Sequence, residues 1–137
     1  MVQKLILLAI LGISAYQDWR KKKVSLYLIL TAGIAGLLCH LCAGQTTVTD
    51  ILLGAVLGAV LLFCSFISGE KIGYGDGAMV MVCGIFLGFA TNLELLCIAL
   101  ILLELAALFL IVVKRKGRRY QIPFIPFLLL GYLVLLI

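Results

Sequence analysis

Acidic residues are scarce in this chain: Asp and Glu together number 6 in 137 residues, against 11 Lys and Arg. Histidine occurs once, at His40, and proline twice. Each shortage excludes something. A zinc site needs four ligands, and the single C-x-x-C spacing, Cys39-His40-Leu41-Cys42, has no second pair to complete it. That pair also lies near the end of an apolar run, not at the helix N-terminus that favours a redox thiol. The five cysteines, Cys39, Cys42, Cys64, Cys83 and Cys97, therefore read as small apolar residues in helices. No aromatic residues interleave with the basic clusters, as a base-stacking surface would require, so the net charge of +5 does not point to nucleic acid. Long polar loops are missing too. A soluble catalytic domain has no room beside the apolar segments, and any chemistry must take place at helix ends.

What fills the chain instead is apolar sequence. It is 65% hydrophobic, with a mean hydropathy of +1.29. An ordinary soluble domain is about half apolar, so the composition predicts an all-α integral membrane protein, a single domain over residues 1–137. A spanning helix needs about 20 mostly apolar residues. Six segments qualify: Val2 to Gln17, Val24 to Ala43, Val48 to Ser68, Gly77 to Ala90, Leu93 to Val113 and Ile122 to Ile137. The first, fourth and sixth are short and span if their polar end residues snorkel or the bilayer thins. Lys4 followed by Leu5 to Ala15 imitates a signal peptide. Further membrane segments follow it, so it reads as an uncleaved first helix.

Lysine and arginine accumulate on the cytoplasmic side of a membrane. Arg20-Lys21-Lys22-Lys23 follows the first segment, Lys71 the third, and Lys114, Arg115, Lys116, Arg118 and Arg119 the fifth. Gly44 to Thr47 and Thr91-Asn92, after the second and fourth, hold no basic residue. The odd-numbered loops are thus expected inside, both termini outside, and only Lys4 disagrees. Gly54 and Gly58, and again Gly84 and Gly88, form G-x-x-x-G, a spacing that lets helix backbones approach closely.

On this topology Asp18, closing the first segment, and Asp76, opening the fourth, lie at the same membrane face. If the first and fourth helices pack together, the two carboxylates share a proton and one pKa of the pair rises. An ionised Asp can then draw a proton from water while a protonated Asp hydrogen-bonds a scissile carbonyl. No metal or organic cofactor is needed. Gly73, Gly75 and Gly77 allow positive φ and close backbone approach, so a substrate strand can lie against this loop. The bland alternatives are a pairing of Asp18 with Arg20 or Lys22, and Asp76 as a cap of the fourth helix. A phosphate loop is excluded, because no strand precedes the glycines and no Gly-Lys-Ser/Thr follows.

Gly73-Tyr74-Gly75-Asp76 resembles the GxGD signature of type IV prepilin peptidases. Asp18 before a basic loop resembles their first aspartate, and Pro-Phe-Ile-Pro-Phe at Pro123 to Phe127 resembles the opening of their last helix. The likeness covers nearly the whole chain. It implies a membrane aspartic endopeptidase that removes the leader from prepilins or pilin-like precursors at the cytoplasmic face, with Asp18 and Asp76 as the catalytic pair and the precursor's apolar helix beside the enzyme in the lipid bilayer. Family members often carry Ile-Pro where this chain has Val24-Ser25. Many have Lys two residues after the second aspartate, where this chain has Ala78, and Lys71 is the stand-in, with Gly73 and Gly75, for substrate contacts. Longer members carry a cytoplasmic domain with two C-x-x-C pairs and also N-methylate the product. The first basic loop here is far too short for one, which implies peptidase without methyltransferase.

Among the remaining acids, Glu104 lies midway along the fifth segment, where it should be protonated, partnered or turned to a cavity. Asp50 and Glu94 stand near outer helix N-termini, where acids are favourable. Glu70 and Lys71 read as solvated loop residues. The rival class is a small transporter or assembly subunit, which would place its polar residues near the midplane and show repeated halves. Only Glu104 is central.

Overall fold

In the computed structural model, residues 1–44, 47–69, 73–115 and 122–137 are described. They form six α-helices and no strand: α1 (Val2–Lys21), α2 (Leu26–Ala43), α3 (Val48–Ile67), α4 (Tyr74–Leu87), α5 (Phe89–Val112) and α6 (Ile125–Leu136). The expected all-helical architecture and the order of six helices are both present. By length and composition α2, α3 and α5 can cross a membrane, whereas α4 and α6 are shorter apolar helices. The outward surfaces of these three are predominantly apolar. Only 11% of the most apolar stretch of α5 is buried inside the protein, so its Leu and Ile side chains have lipid-like surroundings as their natural neighbour.

The short helix α4 lies at the centre and packs against α1, α2, α3 and α5, while α6 packs against α1 and α5. Its side chains Met79, Val80, Val82, Cys83 and Phe86 are all buried, in one core with Leu7 and Leu11 of α1 and Ile125, Leu128 and Tyr132 of α6. Glycine explains how so short a helix gathers so many neighbours. A methyl group at Gly54 or Gly84 would overlap the backbone of the other's helix, and one at Gly58 would overlap the Met81 backbone. The α3–α4 contact is therefore a backbone-to-backbone approach of the kind the G-x-x-x-G spacing predicts. Gly36 of α2 opens a similar slot for Phe86, whose Cε2 would lie 2.9 Å from an added methyl.

Polar staples hold the same centre. Asn92 of α5 is fully buried, and its Nδ2 donates to Gly54 O of α3 and Val80 O of α4, each at 3.1 Å. His40 of α2 donates through Nε2 to Ile85 O of α4. Tyr132 of α6 donates to Lys4 O of α1 at 3.1 Å.

Several boundaries differ from those expected. The first helix continues past Gln17 to Lys21, so Asp18 sits within its last full turns, and it ends where Lys22 turns left-handed at φ 52° with its N–H on Asp18 O. The fourth helix begins at Tyr74, not Gly77, and the fifth at Phe89, not Leu93. No loop exists at Thr91-Asn92, because Gly88 alone, at φ 80°, separates α4 from α5. Asp50 Oδ1 accepts the Phe89 N–H at 3.2 Å, so an acid from α3 caps α5 across the helix junction. A side chain at Gly88 would overlap that carboxylate. Glu104 is exposed on the outer face of α5 in a shallow hollow with Leu100, Ile101, Leu105 and Leu108, without a hydrogen bond to another described residue.

Candidate active site

The contact between α1 and α4 sets the level of the two aspartates. Ser14 of α1, fully buried, donates through Oγ to Met79 Sδ of α4 at 3.6 Å. Asp18 is four residues beyond Ser14 toward the end of α1, and Asp76 is three residues before Met79 toward the start of α4. At about 1.5 Å of rise per residue, each carboxylate stands roughly one turn from the same contact. The two helices run in opposite directions, so both acids lie on the same side of it. Proximity also registers electrostatically, since the Asp18 charge raises the pKa of Asp76.

The two aspartates have different surroundings. Asp18 is buried, 5% exposed, and its Oδ2 accepts the Ile125 N–H of α6 at 3.1 Å. Asp76 is half-buried in the first turn of α4. Gly73 is the N-cap of that helix, and the Asp76 carboxylate makes no hydrogen bond to another described residue. Nor is Asp18 committed to Arg20, whose guanidinium lies over the Tyr16 ring, 5.6 Å from its centroid.

Both carboxyls lie just outside the apolar stretches Val2 to Gln17 and Gly77 to Ala90, at the helix ends. Burial raises the pKa of Asp18 above 3.8, against the lowering effect of backbone hydrogen bonds from Ile125 and Phe124. For Asp76, burial first and the Asp18 charge second push the pKa to about 7. The arrangement can therefore hold one neutral and one ionised carboxyl side by side near neutral pH, which is what activation of water against an amide carbonyl demands.

Each glycine of the Gly73-Tyr74-Gly75-Asp76 turn has its own reason. A methyl at Gly73 would lie 3.1 Å from Asp76 Oδ2, so glycine leaves that oxygen uncovered. One at Gly75 would touch Val24 Cβ at 3.5 Å, and one at Gly77 would lie 3.0 Å from Leu62 N. Close approach is thus the service they provide. The expected positive φ is not: Gly73 has φ −65°, and the positive-φ glycines among the described residues are Gly44, Gly69 and Gly88. Lys71, expected to contact substrate, lies outside the described residues.

The loop from Lys22 to Ser25 is pinned beside the pair. Gln17 Oε1 accepts the Ser25 N–H at 3.1 Å, and Val24 rests over Gly75. Sequence reasoning missed two participants, Ile125 and Ser14. The Pro-Phe-Ile-Pro-Phe stretch signalled the first only as a helix start. For Ser14, the available signal was its place one turn from Asp18 on an otherwise apolar helix.

The model of the type IV leader peptidase family matches residues 5–113, a range that includes both aspartates and all three glycines. No curated protein and no solved structure matches the chain.

Proposed function

We infer, for a chain that belongs to the type IV leader peptidase family, that it is a multi-pass aspartic endopeptidase cleaving prepilins or pilin-like precursors at the cytoplasmic membrane face. Membership implies proteolysis of the aspartic type, and the apolar helices α2, α3 and α5 imply a membrane-embedded protein. The finer reading is that Asp18 and Asp76 are the catalytic pair. One observation carries it: the packing of α1 on α4 brings the two acids level at the edge of the apolar core, one turn from the Ser14–Met79 contact.

On this reading, six spans place both termini outside, and the basic segments after α1, α3 and α5 inside. The precursor's apolar helix lies in the bilayer and presents its leader junction at the cytoplasmic face. Gly73 and Gly75 form a floor against which the extended junction lies, with the Asp76 carboxylate uncovered beside it, and Lys71 contributes a substrate contact from the same loop. Water attacks the scissile carbonyl directly, without a covalent intermediate. The short loop between α1 and α2, Lys22 to Ser25, holds no cysteine-bearing domain, so the activity is cleavage without N-methylation.

The test is leader cleavage of a co-expressed prepilin, followed by gel shift, for the wild type, Asp18→Asn and Asp76→Asn. The expected result is a processed band with the wild type only. Cleavage surviving in either variant would remove that aspartate from the chemistry. Methylation of a cleaved pilin by the purified protein with S-adenosylmethionine would refute the single-activity reading.

A further inference from the structure

The opening of α6 turns spare backbone donors toward α1. Helix N-termini leave backbone N–H groups without intrahelical acceptors. In α6 the N–H groups of Phe127 and Leu128 turn back to Phe124 O, and Pro126 has no N–H to offer. Ile125, the first helical residue, keeps a free N–H, and Asp18 Oδ2 takes it at 3.1 Å across 107 residues of sequence. Phe124 adds a second backbone hydrogen bond, and the positive end of the α6 dipole points the same way. The opening of α4 follows the same pattern, with the Asp76 and Gly77 N–H groups on Gly73 O. The Asp76 carboxylate accepts no hydrogen bond from another described residue.

We propose that the first turn of α6 fixes Asp18 as the ionised member of the pair and thus as the base, leaving Asp76 as the acid. The proposal rests on the peptidase reading of the two aspartates. Asp18 takes a proton from water as the water oxygen bonds to the scissile carbon, and Asp76 gives its proton to the carbonyl oxygen. Collapse of the resulting gem-diol breaks the C–N bond; the proton on Asp18 passes to the leaving amine, and a hydroxyl proton returns to Asp76. Burial raises both carboxyls, but Asp18 has backbone donors pulling it back, whereas Asp76 has none among the described residues and carries the added effect of its neighbour's charge. Among the described residues, the other titratable groups near the pair in sequence or at the adjoining helix ends are Arg20 over Tyr16, exposed Lys21, Lys22 and Lys23 on the α1 side, Tyr27 at the start of α2, and Tyr74 beside Asp76. The first two turns of α6 contribute none.

Ile125→Pro removes this one N–H at the first helical position, where no intrahelical hydrogen bond is lost. Ile125→Val retains it. In the purified full-length enzyme, kcat/KM against pH should change shape in Ile125→Pro. The acidic limb should shift to higher pH, with about tenfold more loss at about pH 5 than at about pH 7, as expected for a lost hydrogen bond to a charged acceptor. Ile125→Val should keep the wild-type profile. A uniform loss at all pH values, or an equal change in Ile125→Val, would overturn the proposal and leave Ile125 a packing residue. A second measurement is independent of folding of the proline variant and of any substrate. At about pH 5 the infrared carboxylic-acid band should lose one carboxyl in Asp76→Asn and keep it in Asp18→Asn. The reverse pattern would overturn the assignment. Absence of cleavage by the wild type would instead count against the peptidase reading, with the infrared result still deciding which carboxyl holds the proton.

Discussion

Among the described residues, Asp76 has the carboxyl furthest from its ordinary range, and its pKa of about 7 has a consequence for stability. Below pH 3.8 the group is neutral in both folded and unfolded chains. As pH rises from there to about 7, the unfolded chain ionises while the folded one holds its proton, so stability is progressively lost. Asp76→Asn, which cannot ionise, should therefore be more stable than wild type at pH 8, with the difference vanishing toward pH 4. The shift corresponds to at most about 4 kcal/mol, and water at the helix end reduces this to roughly 1–3 kcal/mol. Thermal unfolding in detergent at the two pH values would check it; an equal difference at both would remove the titration argument. Gly73→Ala places a methyl 3.1 Å from Asp76 Oδ2. It should leave thermal stability nearly unchanged and lower kcat/KM about ten- to hundredfold. Unchanged kcat/KM would mean that the substrate does not use this opening. At this scale the two aspartates and the glycine turn were legible because each is a polar exception in apolar sequence. Ile125 was not legible. Its contribution is a backbone N–H, which no side-chain pattern reports.

The helices owe their arrangement to glycines more than to any amphipathic stripe. Gly84 of α4 has no room for a methyl against Gly54 of α3, whereas Gly33 of α2 has nothing within 4 Å. Gly84→Ala should accordingly lower the thermal midpoint, with a loss of about 1–3 kcal/mol or more for overpacking against backbone. Gly33→Ala should be neutral or gain up to about 1 kcal/mol from helix propensity. Equal effects at the two positions would mean that the α3–α4 approach does not limit stability. Apolar runs separated by basic or small polar stretches revealed the number and order of helices. They could not reveal that α5 starts at Phe89, because the decisive features are Asp50 reaching across from α3 and Gly88 at φ 80°. Thr91-Asn92 looked like a loop, since Asn is a turn former. Here tertiary context prevails, and Asn92 becomes the buried link between α3 and α4.

Taken as a whole, the molecule surrounds a short central helix with longer ones whose outward faces are apolar. The topology proposed for it is testable with single cysteines placed in a cysteine-free variant. A cysteine at Lys22 should react with a membrane-impermeant reagent only after the inner face is opened, and one at Gly44 should react in intact cells. The opposite pattern would invert the orientation and move the aspartates to the outer face. Charge distribution is the sequence feature that suggests this orientation. It could not tell that the first and last of the six helices would meet, because hydropathy carries no information about which spans become neighbours. Their meeting has a consequence in time. A ribosome makes Asp18 early and Ile125 more than a hundred residues later, so a growing chain carries its first aspartate into the membrane unanchored. On the proposed reading, the anchored pair is complete only when α6 has left the insertion machinery and closed against α1, which withholds the finished site until the bundle around it exists.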